Sequence, residues 1–178
     1  MRRVRQTLTT LAPELGADRM VRQYVEELYR PAAEQAARVE AEADRGAREL
    51  AAFGARVRAA WPNVQVVHVE SGGVESPHVG DELNLRAYVE LDGLSTDDVA
   101  VEVVYGRSRS DESIEGVRRT TLEPEASTDA AAKASGQRLY TGTVVLDRAG
   151  AFGYTVRVVP RHPLLVSPAE LGLVAVAG

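Results

Sequence analysis

The chain of 178 residues contains no cysteine. Disulfide staples and thiolate metal sites are excluded, so the fold must be held by its apolar core. Aromatic residues are scarce at 5%, with a single tryptophan, Trp61. Sugar-binding surfaces stack their ligands on exposed rings, and this composition does not announce such a platform. Long apolar runs are also missing. No stretch approaches the roughly 18–20 residues needed to cross a bilayer, and no membrane partner is expected. The basic start Met1-Arg2-Arg3-Val4-Arg5-Gln6 leads into a polar, Thr-rich stretch where a signal peptide would need an apolar segment. A cytoplasmic location is the expectation. Positive charge is in deficit: 21 Lys and Arg against 26 Asp and Glu leave a net charge of −5 and a pI near 5.3. That sign argues against a nucleic-acid partner, which wants a basic face. What remains, 44% hydrophobic and 26% charged, is ordinary for a globular chain and enough for one medium domain or two small units.

The first 61 residues lack a period of two and read as helix. Asp18 is an N-cap candidate, because its carboxylate can accept from the free N–H groups of the next turn. Met20, Val21, Tyr24, Val25, Leu28 and Tyr29 then recur at spacings of three and four, which makes one apolar face. Pro31 interrupts or restarts the helix, since it has no N–H to donate. A second helix is expected from Pro31 to about Trp61, with Val39, Ala43, Ala47, Leu50, Phe53 or Gly54, Val57 and Trp61 on one stripe. Charges four apart (Glu34 with Arg38, Asp44 with Arg48, Arg45 with Glu49) decorate the other side. Trp61-Pro62-Asn63 ends it, because the residue before proline leaves helical geometry. Trp61 is expected to seal helix against sheet.

After Asn63 the period becomes two. Leu83, Leu85, Ala87, Val89 and Leu91 alternate with polar residues, as do Val99, Val101, Val103 and Tyr105, then Tyr140, Gly142, Val144 and Leu146, then Phe152, Tyr154, Val156 and Val158. Weaker strands are expected at 64–70 and 114–122. Ser71-Gly72-Gly73, Asp92-Gly93, Gly106 and Ala149-Gly150 punctuate them. Six or seven short strands with one dry and one wet face argue an antiparallel β-sandwich. Asp147-Arg148-Ala149-Gly150-Ala151-Phe152-Gly153-Tyr154 resembles the turn-and-strand signature of immunoglobulin-like folds, with Tyr154 where extracellular members often carry cysteine. The small, polar run from Glu125 to Gly136 reads as a long hairpin loop.

Chemistry is sparse. His68, His78 and His162 are scattered, with no H-x-x-x-H or H-E-x-x-H spacing, and structural or solvated roles are expected for them. The acidic pairs Asp81-Glu82, Asp97-Asp98 and Asp111-Glu112 fall at strand starts or turns, and no D-x-D-x-D-G loop supports calcium. They read as solvated carboxylates. Arg107, Arg109, Arg118 and Arg119 are interleaved with Asp111, Glu112 and Glu115, so no single-sign surface is implied. Neither G-x-S-x-G nor a phosphate loop occurs. No catalytic, cofactor-binding or metal-binding residue is assigned.

Two segments carry a resemblance. Thr7-Leu-Thr-Thr-Leu-Ala-Pro13 is followed by Asp18-Arg-Met-Val-Arg-Gln-Tyr-Val25 and closed by Tyr29-Arg-Pro31. The second segment is Pro160-Arg-His-Pro-Leu-Leu-Val-Ser-Pro-Ala-Glu-Leu-Gly172. Both resemble the C-terminal part of bacterial α-glucan phosphorylases, the enzymes of glycogen, starch and maltodextrin, although Gln23 replaces an expected glutamate. The resemblance implies the last portion of a longer enzyme that cleaves α-1,4-glucans with phosphate to give glucose 1-phosphate, using pyridoxal phosphate on a lysine upstream. The lone lysine here, Lys133, lies in the expected loop, so no cofactor site is carried over and the chain by itself is expected to be inactive.

The expected fold is α+β. Residues 1–61 would be the helical end of the phosphorylase domain with a connecting helix, and 62–178 an immunoglobulin-like antiparallel β-sandwich. The implied role is structural or domain-interacting, the partner being the catalytic region or a second copy held through the helical segment. The alternative is a free-standing β-sandwich that binds glycans, with α-glucan as its partner.

Overall fold

The computed structural model describes residues 17–72, 78–109, 113–125 and 136–178, with side chains omitted at 42 and 43. The segment 7–13, Lys133, Asp111-Glu112 and most of the expected hairpin loop lie outside the described residues. The chain divides into two compact units, 1–50 and 51–178.

In the first unit, α1 (Ala17–Tyr24) carries Asp18 inside its first turn. Asp18 therefore favours the positive helix end from within and is not the N-cap residue expected. Val25–Tyr29 forms a π-helical turn in which the Arg30 N–H donates to the Val25 carbonyl. This wider turn stands directly before Pro31, whose ring crowds the preceding turn and whose nitrogen has no hydrogen to donate. The proline thus loosens the helix without ending it, and α2 (Arg30–Ala60) continues. The stripe expected along α2 is present from Ala47 through Leu50, Phe53, Gly54 and Val57 to Trp61, but it does not run unbroken through Asp44. Asp44 has φ of 61°, a left-handed value that Asp tolerates better than most residues. Across it the backbone doubles back. A Cβ on Gly46 would lie 2.8 Å from the Arg38 carbonyl oxygen and 3.0 Å from the Val39 Cα, whereas eight residues of straight helix span about 12 Å. Only glycine permits that approach, and the periodicity of small residues across positions 39–50 had hidden it.

In the second unit, the last turns of α2 bury Phe53, Val57, Ala60 and Trp61, and a 3-10 turn, Trp61–Asn63, ends the helix. Seven strands follow: β1 (Gln65–Gly72), β2 (Glu82–Glu90), β3 (Val99–Ser108), β4 (Ile114–Glu125), β5 (Arg138–Val145), β6 (Phe152–Pro160) and β7 (Ala175–Val176). They make one antiparallel sheet in the order β1-β2-β5-β4-β3-β6-β7. The sheet is nearly closed, because β1 residues come within 8 Å of β6 and β7 without a ladder between them. Strand β4 joins the two halves. Its residues from Ile114 to Leu122 pair with β3, and Glu123, Pro124 and Glu125 pair with β5. Before Glu123 no ladder joins β4 to β5 among the described residues, but Arg118 on β4 forms an ion pair with Asp147 after β5.

Alternation explains the core. Leu85, Ala87 and Val89 on β2, Val99, Val101 and Val103 on β3, Tyr140 and Val144 on β5, and Val156 and Val158 on β6 all point inward and are buried. Full burial of each of the valine and leucine side chains contributes on the order of 1.5–3 kcal/mol. The chain passes from β2 to β3 through Asp92 (φ 46°) and Gly93 (φ 82°), with the Leu94 N–H donating to the Leu91 carbonyl at 3.0 Å. Two consecutive positive φ values define a type I′ turn, which Asp-Gly suits.

Candidate functional site

A polar cluster gathers around the end of α2. Arg56 donates from Nη1 to Asp98 Oδ2 at 2.6 Å and from Nη2 to Asp98 Oδ1 at 2.8 Å. Asp98 precedes β3 and also accepts from the Ser95 N–H at 2.8 Å and the Ser95 hydroxyl at 2.9 Å. The Arg56 bond, helped by the two Ser95 bonds, holds the Asp98 carboxyl well below its ordinary range against the opposing effect of burial. The same bond raises Arg56. Reading Asp97-Asp98 as solvated was therefore right only for Asp97, whose side chain is 94% exposed against 13% for Asp98. Local sequence gave no sign of this, because the two partners are 42 residues apart.

The segment singled out from Pro160 to Gly172 completes the cluster. The Arg161 N–H donates to the Asp98 carbonyl at 2.8 Å, and its guanidinium reaches the Thr96 and Asp97 carbonyls. The His162 ring lies 4.5 Å from that of Phe53, and its Nδ1 accepts from the Leu164 N–H. Further on, Ser167 accepts from the Ala169 N–H while Glu170 accepts from the Ser167 N–H, a reciprocal cap on the 3-10 turn Pro168–Leu171. Gly172 ends it at φ 65°. Every one of these groups is engaged in holding backbone or helix, and none is arranged around a reacting atom.

The remaining histidines are separate. His68 stacks beside Tyr88 at 6.1 Å, and His78 lies in the turn before β2, where its N–H donates to Asp81. Among the described residues no group of three His, Cys, Asp or Glu could hold a metal ion, and no helix is long and apolar enough to cross a membrane. A pyridoxal phosphate Schiff base needs a lysine amine, and the described residues contain no lysine. They do not fit that group.

In the first unit, Met20, Val21, Tyr24, Val25, Leu28 and Tyr29 are all exposed, between 45% and 66%. The apolar face read from their spacing is present and is open on this chain.

The second unit is thus a nearly closed antiparallel sheet tied to the last turns of α2 by ion pairing and to its C-terminal segment by capping. Residues 61–178 match the family model described as the glycogen phosphorylase C-terminal domain, and the chain belongs to that family. It is 41% identical over 175 residues to a glycogen phosphorylase of Mycobacterium bovis and 40% identical to one of Mycobacterium tuberculosis, with 98% of this chain and 20% of each relative covered. It is 27% identical over 175 residues to a maltodextrin phosphorylase of Thermococcus litoralis, covering 96% of this chain and 19% of that protein. The chain thus spans about a fifth of the length of these curated relatives.

Proposed function

We propose that this chain is the non-catalytic C-terminal portion of an α-glucan phosphorylase and acts as a scaffold that docks on the catalytic region through the α1 face. The carrying observation is the open stripe of Met20, Tyr24 and Leu28 on a chain similar over nearly its whole length to one fifth of much longer phosphorylases. A stripe of that kind marks a docking surface. The catalytic region supplies phosphorolysis of α-1,4-glucans, its pyridoxal phosphate and the cytoplasmic setting. We read the two halves of the sheet, joined by β4, as the layers of an immunoglobulin-like sandwich.

The test is complementation. The catalytic region of such a phosphorylase and this chain are expressed as separate polypeptides and mixed. Co-elution, with phosphorolysis restored above that of either part, is expected; Leu28→Asp abolishes both. Failure to co-elute would remove the docking reading. A second reading, α-glucan binding by the β domain, is supported by the half-buried Tyr88 ring, with Arg86 over it at 5.9 Å and His68 beside it. Titration with maltoheptaose against Tyr88→Ala tests it.

A further inference from the structure

The outward face of the β4-β3-β6 half carries a groove of about 380 Å³, walled on its far side by the segment from Ser167 to Val174. Two arginines line it. Arg157 on β6 donates from both Nε and Nη2 to one oxygen of Glu102, at 2.9 and 2.7 Å, which fixes the guanidinium and leaves Nη1 without a hydrogen-bond partner among the described residues. Arg119 on β4 has no carboxylate partner among the described residues. Register places the two on one face: Arg119 is opposite Val104, Val104 is opposite Thr155, and Arg157 lies two residues further along β6. Two strand spacings of about 4.8 Å and two residues' rise of about 3.3 Å each put their backbones roughly 12 Å apart, close enough for both long guanidinium side chains to reach one anion. A third donor comes from the opposite wall, where the Ser167 oxygen accepts from the Ala169 N–H and its own proton remains to be given. Val159, Leu173 and Val174 supply an apolar side. A cleft of this size with an apolar wall and a few converging polar groups is the usual form of a small-molecule site.

We propose that this groove binds a phosphomonoester of a sugar or small polyol. Three donors approaching from β4, β6 and the capped turn match the three terminal oxygens of a tetrahedral phosphate, whereas a planar carboxylate offers two. Glu102 already balances Arg157, so Arg119 supplies the uncompensated charge that draws the anion in. The apolar wall takes the carbon face of the ester. This site goes beyond the docking role and does not rest on it, since every residue involved belongs to the β unit.

Isothermal titration of the full chain with glucose 1-phosphate and glycerol 3-phosphate tests the assignment, with glucose, gluconate and inorganic phosphate as further arms. Saturable one-to-one binding of at least one ester is expected, with glucose silent and gluconate weaker. Arg119→Ala should weaken it at least about ten-fold without moving the melting temperature, because Arg119 is exposed and has no carboxylate partner among the described residues. Arg119→Lys should recover part of the loss. Absence of saturable binding by both esters, equal binding of gluconate, binding of inorganic phosphate as tight as either ester, or an unchanged affinity in Arg119→Ala would each overturn the proposal.

Discussion

Arg56 and Asp98 face each other through two parallel hydrogen bonds of 2.6 and 2.8 Å, joining the last turns of α2 to the start of β3. Bidentate guanidinium–carboxylate pairs are stronger and more directional than single contacts, and here the carboxylate is 13% exposed while the guanidinium side chain is 53% exposed. Its consequence is a pH dependence with a definite sign.

The folded chain holds Asp98 below its ordinary value of 3.8. A depressed carboxyl contributes stability that is fully present above the unfolded value and is lost as pH falls toward the folded one. Melting temperature should therefore be flat near neutrality and drop below about pH 4. Asp98→Asn should lower the neutral plateau by about 1–3 kcal/mol and flatten the acid limb. Thermal melts of both proteins between pH 7 and pH 2.5 are the measurement, and parallel acid limbs would contradict the assignment.

Tyr140 predicts the opposite end of the scale. The residue is 1% exposed, its hydroxyl has no hydrogen-bond partner among the described residues, and burial pushes its pKa up to about 12. A phenol whose folded value lies above its ordinary value of 10.0 contributes nothing below that pH and costs stability between 10 and 12. Tyr140→Phe should be neutral or stabilising by up to about 1 kcal/mol at pH 7, and should remove the alkaline loss. Urea unfolding at pH 7 and pH 11 reads both effects.

Two glycines in the sheet should respond unequally to alanine. At Gly142 a Cβ would meet the end of the Leu122 side chain at 2.6 Å, and a leucine can rotate away at a cost of about 1–2 kcal/mol. At Gly106, opposite the bulge in β4, the obstacle is the Glu115 carbonyl oxygen, which is backbone. Gly106→Ala should cost about 3 kcal/mol. Denaturant midpoints that ranked the two variants the other way would refute this comparison.

Exposure of Met20, Tyr24 and Leu28 predicts concentration-dependent association of the chain when no catalytic region is present. Light scattering across a hundred-fold dilution series should show larger species at the upper end for the natural sequence and a monomer throughout for the triple serine variant. A natural chain that stays monomeric at every concentration would mean that another surface closes over this face.

Much of the architecture was legible because its signals are local. Leu85, Ala87 and Val89, or Val99, Val101 and Val103, alternate in sequence and all turn inward in the structure, since the strand period of two leaves no other face for them. The helical face from Met20 to Tyr29 was legible for the same reason. Asp18 was misplaced because a capping residue is known only by the backbone before it. The bend at Asp44 was missed because a small residue that fits a helix also fits a close crossing of two backbones.

The amino-acid order by itself determined where helix gives way to strand, which side chains turn inward, and the kinship with phosphorylases, since each depends on neighbours in the chain or on residue-by-residue similarity. Only the tertiary structure decided that β4 belongs to both halves of the sheet, that Arg56 meets Asp98, and that Arg119 and Arg157 share a groove. Those contacts join residues tens of positions apart, and which distant groups meet depends on how the sheet curls and on which backbone can approach which, a property of packing that no short-range pattern encodes.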